Sequence, residues 1–147
     1  MIQARKIDFT TLGVATAYTI TQGAVNASTV IPLTTFMANN GGYSLSNGGI
    51  KIPASGIYEV EAEMSGSFES NKGWIAISKN TVTNYIATGL NRNTAAGNSY
   101  NSVHISKVAV PLSQNDVVLL YTLDSIANVN GGLDGKPATF ITIKKVA

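Results

Sequence analysis

A proline-to-glycine corner between two alternating segments constrains the fold more than any other feature of this sequence. Ile50 and Ile52 alternate with polar neighbours, which is the period of a half-buried strand. Pro53 has no backbone donor and ends strand pairing, and Gly56 supplies the freedom that a chain reversal needs. The alternating segment that follows carries on one face Tyr58, Val60, Ala62 and Met64. The segment therefore predicts two strands joined by a sharp corner.

Candidate strands recur along the whole chain, and clusters of Gly, Asn, Ser and Pro separate them, which is typical of a sandwich or barrel. The predicted strands are Lys6–Phe9, Val14–Thr21, Tyr43–Ser46, Gly49–Ile52, Ile57–Gly66, Trp74–Ser78, Asn84–Thr88, Asn101–Val110, Asp116–Leu123 and Thr139–Lys145. The predicted loops are Met37–Gly42, Glu69–Gly73, Asn91–Ser99 and Asn128–Pro137. Because no repeat or linker interrupts the pattern, we predict one domain over residues 1–147, with 1–35 the hardest portion to assign.

The composition narrows the classes of function. Charged residues are 12% of the 147 residues, about half the usual share of ~25%, and the net charge is +2. Proteins that bind nucleic acids usually carry a stripe of basic residues, which this sequence lacks, so nucleic-acid binding is not favoured. Cysteine is absent, which excludes disulfides and thiolate metal sites. No apolar run approaches ~20 residues and MIQARKIDFT lacks the apolar core of a signal peptide, so neither a membrane span nor a leader is predicted.

One segment is apolar at successive positions, so both of its faces call for burial. Val117–Leu123 reads VVLLYTL, whereas a strand of a two-sheet sandwich has only one inner face. Two further segments, Trp74–Ile77 and Phe140–Ile143, also carry apolar residues on both faces. A second subunit is the natural cover for the outer face, and the N-terminal segment is the alternative. The residues predicted to form the subunit interface are Val118, Leu120, Trp74 and Phe140.

Four segments, in order, carry a resemblance to a known family. The corner Gly49–Tyr58 is followed by Trp74–Asn80, an apolar strand that ends in Lys-Asn. Val108–Leu119 resembles the pattern aliphatic-Leu-x-x-Gly-Asp-x-Val-x-Leu, and Ala138–Ile143 occupies the place of a closing strand that contains Phe. Together, over about two-thirds of the chain, they resemble the C1q/TNF-like jelly rolls. The resemblance implies an all-β fold, a single ten-stranded jelly-roll sandwich, and a homotrimer.

Two positions depart from the family pattern. Asn115 stands where the family usually has Gly before the Asp, and Asn tolerates the left-handed conformation that such a turn requires. The closing strand lacks the Gly that the family has after this Phe, which here is Phe140. Packing near the implied threefold axis is therefore expected to differ from the family pattern. The resemblance does not specify a ligand, because many functions share this fold.

Groups that could carry chemistry have simpler structural interpretations. His104 lies in an alternating strand without a Gly-x-Ser-x-Gly elbow, so we interpret it as a strand-surface residue. One strand face carries three glutamates, Glu59, Glu61 and Glu63. Ion pairs with a neighbouring strand are a better explanation for them than glycosidase catalysis. The segment Asp124–Asp134 is rich in oxygen ligands but does not fit a calcium loop, and we leave open whether calcium binds there. No enzyme, cofactor or metal is therefore predicted.

These observations favour a non-enzymatic, trimeric structural or binding module of a bacteriophage virion: a head fibre, a decoration protein or a tail-fibre tip. The predicted partners are other copies of the chain and other virion proteins. A bacterial surface or spore tip is one alternative setting, and a secreted carbohydrate-binding lectin at a cell surface is another.

Loops at one end of the trimer are the predicted site for any further ligand, such as a host-surface glycan. Asparagine amides offer paired donors and acceptors for sugar hydroxyls, and a tyrosine offers a flat apolar face for a pyranose ring. The predicted glycan contacts are Asn91, Asn93, Asn98, Tyr100 and Asn101. The alternative is that these residues only keep long loops soluble.

Overall fold

The computed structural model describes residues 13–69, 72–92, 101–133 and 136–147. Every regular element in these ranges is a strand, and they contain no helix long and apolar enough to cross a membrane. The strands are β1 Val14–Tyr18, β2 Gln22–Val25, β3 Thr29–Ile31, β4 Thr35–Asn40, β5 Ser44–Ser46, β6 Gly49–Lys51, β7 Gly56–Phe68, β8 Lys72–Lys79, β9 Tyr85–Arg92, β10 Asn101–Leu112, β11 Val117–Thr122, β12 Ile126–Asn130, β13 Gly132–Leu133, β14 Lys136–Pro137 and β15 Phe140–Lys145.

The strands form two sheets that enclose a single apolar core. The front sheet has seven strands in the order β2-β12-β7-β15-β1-β4, with β10 also paired to β7. The back sheet has six strands in the order β5-β6-β11-β8-β9, with β3 also paired to β11. β13 and β14 form a separate small ribbon. All described pairings are antiparallel, and the long strand β7 connects with three others at the centre of the front sheet.

The core lies between the sheets and follows the alternation of the strands. On β7 the alternating face of Tyr58, Val60, Ala62 and Met64 is completely buried, as the sequence predicts. From the back sheet, Ile75 and Ile77 point into the same core. Because strand side chains alternate, their neighbours on β8 point to the outer face of the sheet.

The structure corrects the interface prediction for two residues of β11. Val118 and Leu120 have no exposed surface and belong to the core of a single protomer. The outer face of the strand, with Leu119 and Tyr121, is also almost fully covered within the protomer. The sequence correctly indicates burial on both sides, but neighbouring strands supply the cover: the ring of Tyr85 stacks on Tyr121 with centroids 6.3 Å apart. Val118 and Leu120 therefore cannot reach another subunit.

The corner at Pro53–Gly56 is structural, although for a different reason than predicted. The Tyr58 hydroxyl donates a hydrogen bond to the carbonyl oxygen of Ala54 at 2.5 Å, which ties the corner to the core. Gly56 is not among the glycines with positive φ. It begins β7, and a Cβ there would collide with the carbonyl oxygen of Ala147. Close approach of two backbone segments, and not turn freedom, explains the glycine.

A polar turn between β10 and β11 is built around Asn115, Asp116 and Asn80. Asn115 has a φ of 72°, which confirms the left-handed conformation expected of it. Asp116 accepts hydrogen bonds from the Asn80 side chain at 2.9 Å and from the backbone N–H of Ser113 at 2.8 Å. The Asn80 side-chain oxygen in turn accepts from the backbone N–H of Val117 at 2.8 Å. The turn therefore joins the ends of β8 and β11.

This turn predicts an acid-sensitive contribution to stability. Burial is the largest single influence on the pKa of Asp116 and raises it, but the hydrogen bonds from Asn80 and Ser113 and the charge of Lys79 together lower the pKa below its ordinary value of 3.8. The unfolded chain therefore binds this proton at a higher pH than the folded chain does. The stabilisation is present above about pH 4 and is lost as the pH falls through the folded pKa.

We expect Asp116→Asn to flatten the decline of the melting temperature below about pH 4, because the variant has no carboxylate to protonate. Thermal unfolding followed by circular dichroism from pH 7 to about pH 2.5 measures this decline. Asn80→Ala, which removes one donor, should produce a smaller change in the same direction. Parallel profiles for Asp116→Asn and the parent would contradict the assignment.

Six described strands fall where the sequence predicts none. β2, β3 and β4 lie in a region without clear alternation, and part of the predicted loop Met37–Gly42 belongs to β4. The predicted loop Asn128–Pro137 contains the end of β12 as well as β13 and β14. These segments are strands because they pair with distant partners, as when β4 pairs with β1 and β2 pairs with β12. The predicted strand Lys6–Phe9 lies outside the described residues.

Candidate binding surfaces

The outer face of the front sheet carries an uncharged strip on two neighbouring strands, which ends at Lys144 opposite Val14. On β1, Ala15 and Ala17 point into the core, so Val14, Thr16 and Tyr18 point outward. On β15, Phe140 and Thr142 point outward in the same way. In the pairing of β1 with β15, Tyr18 lies opposite Phe140 and Thr16 lies opposite Thr142. We call these residues the front strip: Val14, Thr16, Tyr18, Phe140 and Thr142.

The front strip is held together across the two strands. The hydroxyl oxygens of Thr16 and Thr142 are 2.9 Å apart and form a hydrogen bond. Thr16 is only 7% exposed. Tyr18 and Phe140 remain partly exposed. The strip is thus an ordered surface of aromatic, aliphatic and hydroxyl groups.

Charged side chains of both signs border the front strip. Glu59, Glu61 and Glu63 point outward from β7, next to β15, which confirms that they share one face. Lys107 approaches Glu59 with 3.7 Å between Nζ and Oε2. His104 approaches Glu63 with 4.0 Å between Nδ1 and Oε2. These exposed pairs contribute little to the stability of one protomer, since exposed ion pairs are worth about 0–1 kcal/mol.

The positions of His104 and of the three glutamates agree with their interpretation as strand-surface residues. His104 is an exposed strand residue, as expected, and Glu59 and Glu63 approach partners on a neighbouring strand. Among the described residues, no group of three or more His, Asp or Glu side chains could hold a metal ion.

The outer face of the back sheet presents aromatic rings instead of charges. Ile75 and Ile77 of β8 point inward, so Trp74 and Ala76 point outward. Trp74 is 36% exposed and Tyr85 is 44% exposed. In the register of the sheet, Ala76 lies between Tyr121 and Thr88. Small side chains therefore separate Trp74 from the stacked Tyr85–Tyr121 pair, and we call this surface the aromatic platform.

The predicted interface residues thus separate into three locations. Val118 and Leu120 are in the core, Phe140 is on the front strip, and Trp74 is on the aromatic platform of the opposite sheet. The last two remain predictions for contacts with another subunit. Sequence reasoning missed Tyr85 as a surface residue, although its place at the start of a predicted strand beside an asparagine turn was a usable signal.

The predicted glycan contacts are only partly within the described chain. Asn93, Asn98 and Tyr100 lie outside the described residues. Asn91 lies in β9 and not in the predicted loop, whereas Asn101 begins β10, at the start of the strand predicted there. Glycan binding by this set stays a prediction.

The segment predicted as a long oxygen-rich loop is mostly ordered into strands. Its first residue, Asp124, accepts a hydrogen bond from the backbone N–H of Trp74 at 2.7 Å and thereby positions β8. Asp124 also borders an open depression of about 280 Å³ together with Ala27, Glu69 and Ser125. Calcium binding in this segment stays an open prediction.

A second cavity, of about 160 Å³, lies at the corner between Pro53 and Lys145 and is lined by Tyr43 and Tyr58. Burial raises the pKa of Tyr43 to about 12. Its hydroxyl donates to the carbonyl oxygen of Gly13 at 2.7 Å, just as that of Tyr58 donates to Ala54. Because both hydroxyls are satisfied by backbone groups, this cavity has a structural explanation.

Comparison with known proteins identifies the fold. No protein-family model matches this sequence, and no curated protein sequence matches it. The structure of Eiger TNF from S. frugiperda matches with a TM-score of 0.70 over 91% of this chain and 92% of that chain, at 15% identity. Murine APRIL at pH 5.0 matches with a TM-score of 0.72 over 92% of this chain and 99% of that chain, at 14% identity. The fold is a TNF-like jelly roll.

This identification confirms the jelly-roll sandwich implied by the sequence motifs, but not its ten strands, because the two sheets contain seven and six strands in the described residues. A second structure of murine APRIL, at pH 8.5, gives the same result with a TM-score of 0.66 and 16% identity over 91% of this chain. At such identities the TNF-like fold is shared while ligands and partners are free to differ.

Proposed function

We propose that this protein is a non-enzymatic binding module that acts as a homotrimer. The observation that carries the proposal is the front strip, an ordered and uncharged surface on neighbouring strands of the front sheet, where Tyr18 and Phe140 stay partly exposed. An aromatic surface of this kind, with a polar rim, is the usual composition of a protein interface. A copy of the same chain is the occupant that the TNF-like fold favours.

The charges beside the strip suit a closed ring. In a cyclic trimer, each subunit contributes two different patches, and the contact repeats until the ring closes. The front face carries Glu59, Glu61 and Glu63 together with Lys107 and Lys144. Charges of both signs on one face can fix the register and orientation of a neighbour, even though each pair adds little affinity.

The non-enzymatic character rests on how the candidate groups are placed. His104 lies on an exposed sheet face, where a general base would lack a cleft that excludes water. The tyrosine hydroxyls of the corner cavity donate to backbone carbonyls. These two hydroxyls are therefore engaged in holding backbone segments together.

For the setting, we propose the surface of a bacteriophage virion, where the trimer would attach to other virion proteins and present loops to a host glycan. The low charge of the sequence supports this proposal, since a rigid β module with an Asn-, Ser- and Thr-rich surface suits an exposed particle protein. Neighbouring capsid or tail genes would support this setting. Neighbouring genes for cell-wall or spore-coat proteins would favour the alternative of a bacterial surface tip.

Phe140→Asp tests the trimer. The variant is expected to sediment as a folded monomer where the parent sediments as a trimer, because the change removes an aromatic contact and places an unpaired charge in the interface. We expect the dissociation constant of the assembly to rise at least ~100-fold. Sedimentation velocity at micromolar concentration, with circular dichroism to show an intact β fold, gives the result.

Thr83→Asp is the matched control, since it adds the same charge to the exposed turn between β8 and β9. This control should remain trimeric. A parent protein that is monomeric at micromolar concentration would show that the trimer proposal is wrong. If the Phe140→Asp variant is still a trimer, the front strip is not part of the subunit interface.

A further inference from the structure

We propose that the aromatic platform on the back sheet binds a neutral oligosaccharide. This inference does not depend on the trimer, because one protomer supplies all the residues of the platform. It also differs from the predicted loop contacts, since it uses a sheet surface made by β8, β9 and β11.

The geometry of the platform suits flat rings of sugar. Tyr85 lies over Tyr121 with an interplanar angle of 29°, so Tyr121 is only 5% exposed and Tyr85 presents its ring to solvent. Trp74 stands on the same face, and its backbone lies two residues of β8, about 7 Å, from Ala76, which is the register partner of Tyr121. The apolar face of a pyranose can stack on such an exposed ring, as aromatic side chains combine apolar surface with a polar edge.

The positions between the two rings carry no charge. Ala76 and Thr88 form the floor there, and the charged register pair Lys72 and Arg92 comes two residues beyond Trp74. The hydroxyls of Tyr85 and Thr88 form no hydrogen bond with other described residues, so both can donate or accept. At the Trp74 end, the depression beside Asp124 and Glu69 offers carboxylate acceptors for sugar hydroxyls.

The exposed surface of the two rings is small compared with a protein interface. Exposed fractions of 36% for Trp74 and 44% for Tyr85 correspond to roughly 150–200 Å² of aromatic surface in total. A stable protein interface covers about 800 Å² on each partner. The exposed aromatic surface fits a few sugar rings, which need far less area than another subunit does.

Trp74 provides the means to test this proposal, because it is the single tryptophan of the chain. Titration of the parent protein with cellohexaose, chitohexaose and mannohexaose should shift the tryptophan emission for at least one of them. Calorimetry then compares variants with that sugar. Trp74→Ala and Tyr85→Ala should each weaken binding about 10- to 50-fold, because each loses a stacked ring.

Two controls separate stacking from general damage. Tyr85→Phe keeps the ring and should retain most of the affinity, and Thr83→Asp should bind like the parent. Sedimentation of every variant is measured in parallel: loss of sugar binding by Trp74→Ala with an unchanged sedimentation coefficient supports the platform.

Three results would overturn the platform. One is the absence of any emission change with all three sugars up to about 10 mM. Another is sugar binding that survives both alanine changes. The third is dissociation of the assembly by Trp74→Ala, which would show that another copy of the chain covers this face. The trimer proposal is judged separately, by the sedimentation of the parent and of Phe140→Asp.

Discussion

An aspartate in place of Leu120 is expected to unfold the protomer instead of separating subunits. Leu120 is completely buried in the core of one chain, between its neighbours on β3 and β8. Truncation of a buried leucine to alanine costs about 2–5 kcal/mol, and a buried unpaired carboxylate costs more. Since a domain has only about 5–15 kcal/mol of stability, Leu120→Asp should leave little folded protein.

The controls for this substitution use the same position. Leu120→Met conserves volume and should lower the free energy of unfolding by less than about 1.5 kcal/mol, whereas Leu120→Ala should fall between the two. Chemical denaturation followed by circular dichroism gives all three values. If the Leu120→Asp protein is folded but monomeric, Leu120 lies in a subunit interface and not in the core.

Replacing Gly56 by valine is expected to destabilise the fold through a backbone collision. A Cβ at Gly56 would collide with the carbonyl oxygen of Ala147 and would lie 2.6 Å from Cε of Lys145. The Ala147 oxygen is not free to move away, because it accepts a hydrogen bond from the N–H of Ile57 at 2.8 Å. Overpacking of this kind costs about 1–3 kcal/mol, which corresponds to a fall in melting temperature of roughly 3–10 °C.

Gly56→Ala should already show much of this loss, since the collision involves the Cβ itself. Ala54→Val is the matched control: it adds side-chain volume two residues away at an exposed position and should be close to neutral. Equal melting temperatures for Gly56→Val and the parent would show that the segment around Ala147 can shift at no cost.

The sequence was most informative where side chains alternate. The buried face of β7, the anchored hydroxyl of Tyr58 and the left-handed Asn115 all follow from local rules of strand period and turn chemistry. The same rules could not reveal β4, whose residues from Met37 onward are exposed. That strand exists because its backbone pairs with β1, and such pairing leaves little trace in a polar sequence.

The candidate surfaces show the same division. Alternation on β7 placed the three glutamates on one face, and a neighbouring strand supplied partners for Glu59 and Glu63. The cover over Tyr121 was not predictable, because it depends on a register shift between Ile77 and Ser78 in the pairing of β8 with β9. A shift of one residue exchanges the two faces of a strand, so the position of the Tyr85 ring requires the structure.

The position of β15 between β1 and β7 determines when the front sheet can form. The hydrogen bond between Thr16 and Thr142 spans 126 residues of sequence, so it closes one of the longest loops that this chain allows. Until β15 emerges from the ribosome, β1 and β7 each present an unpaired edge, and such edges are prone to pairing with other chains. Folding is therefore expected in the millisecond-to-second range of non-local β topologies, and synthesis in the cell must protect an incomplete sheet until β15 is made.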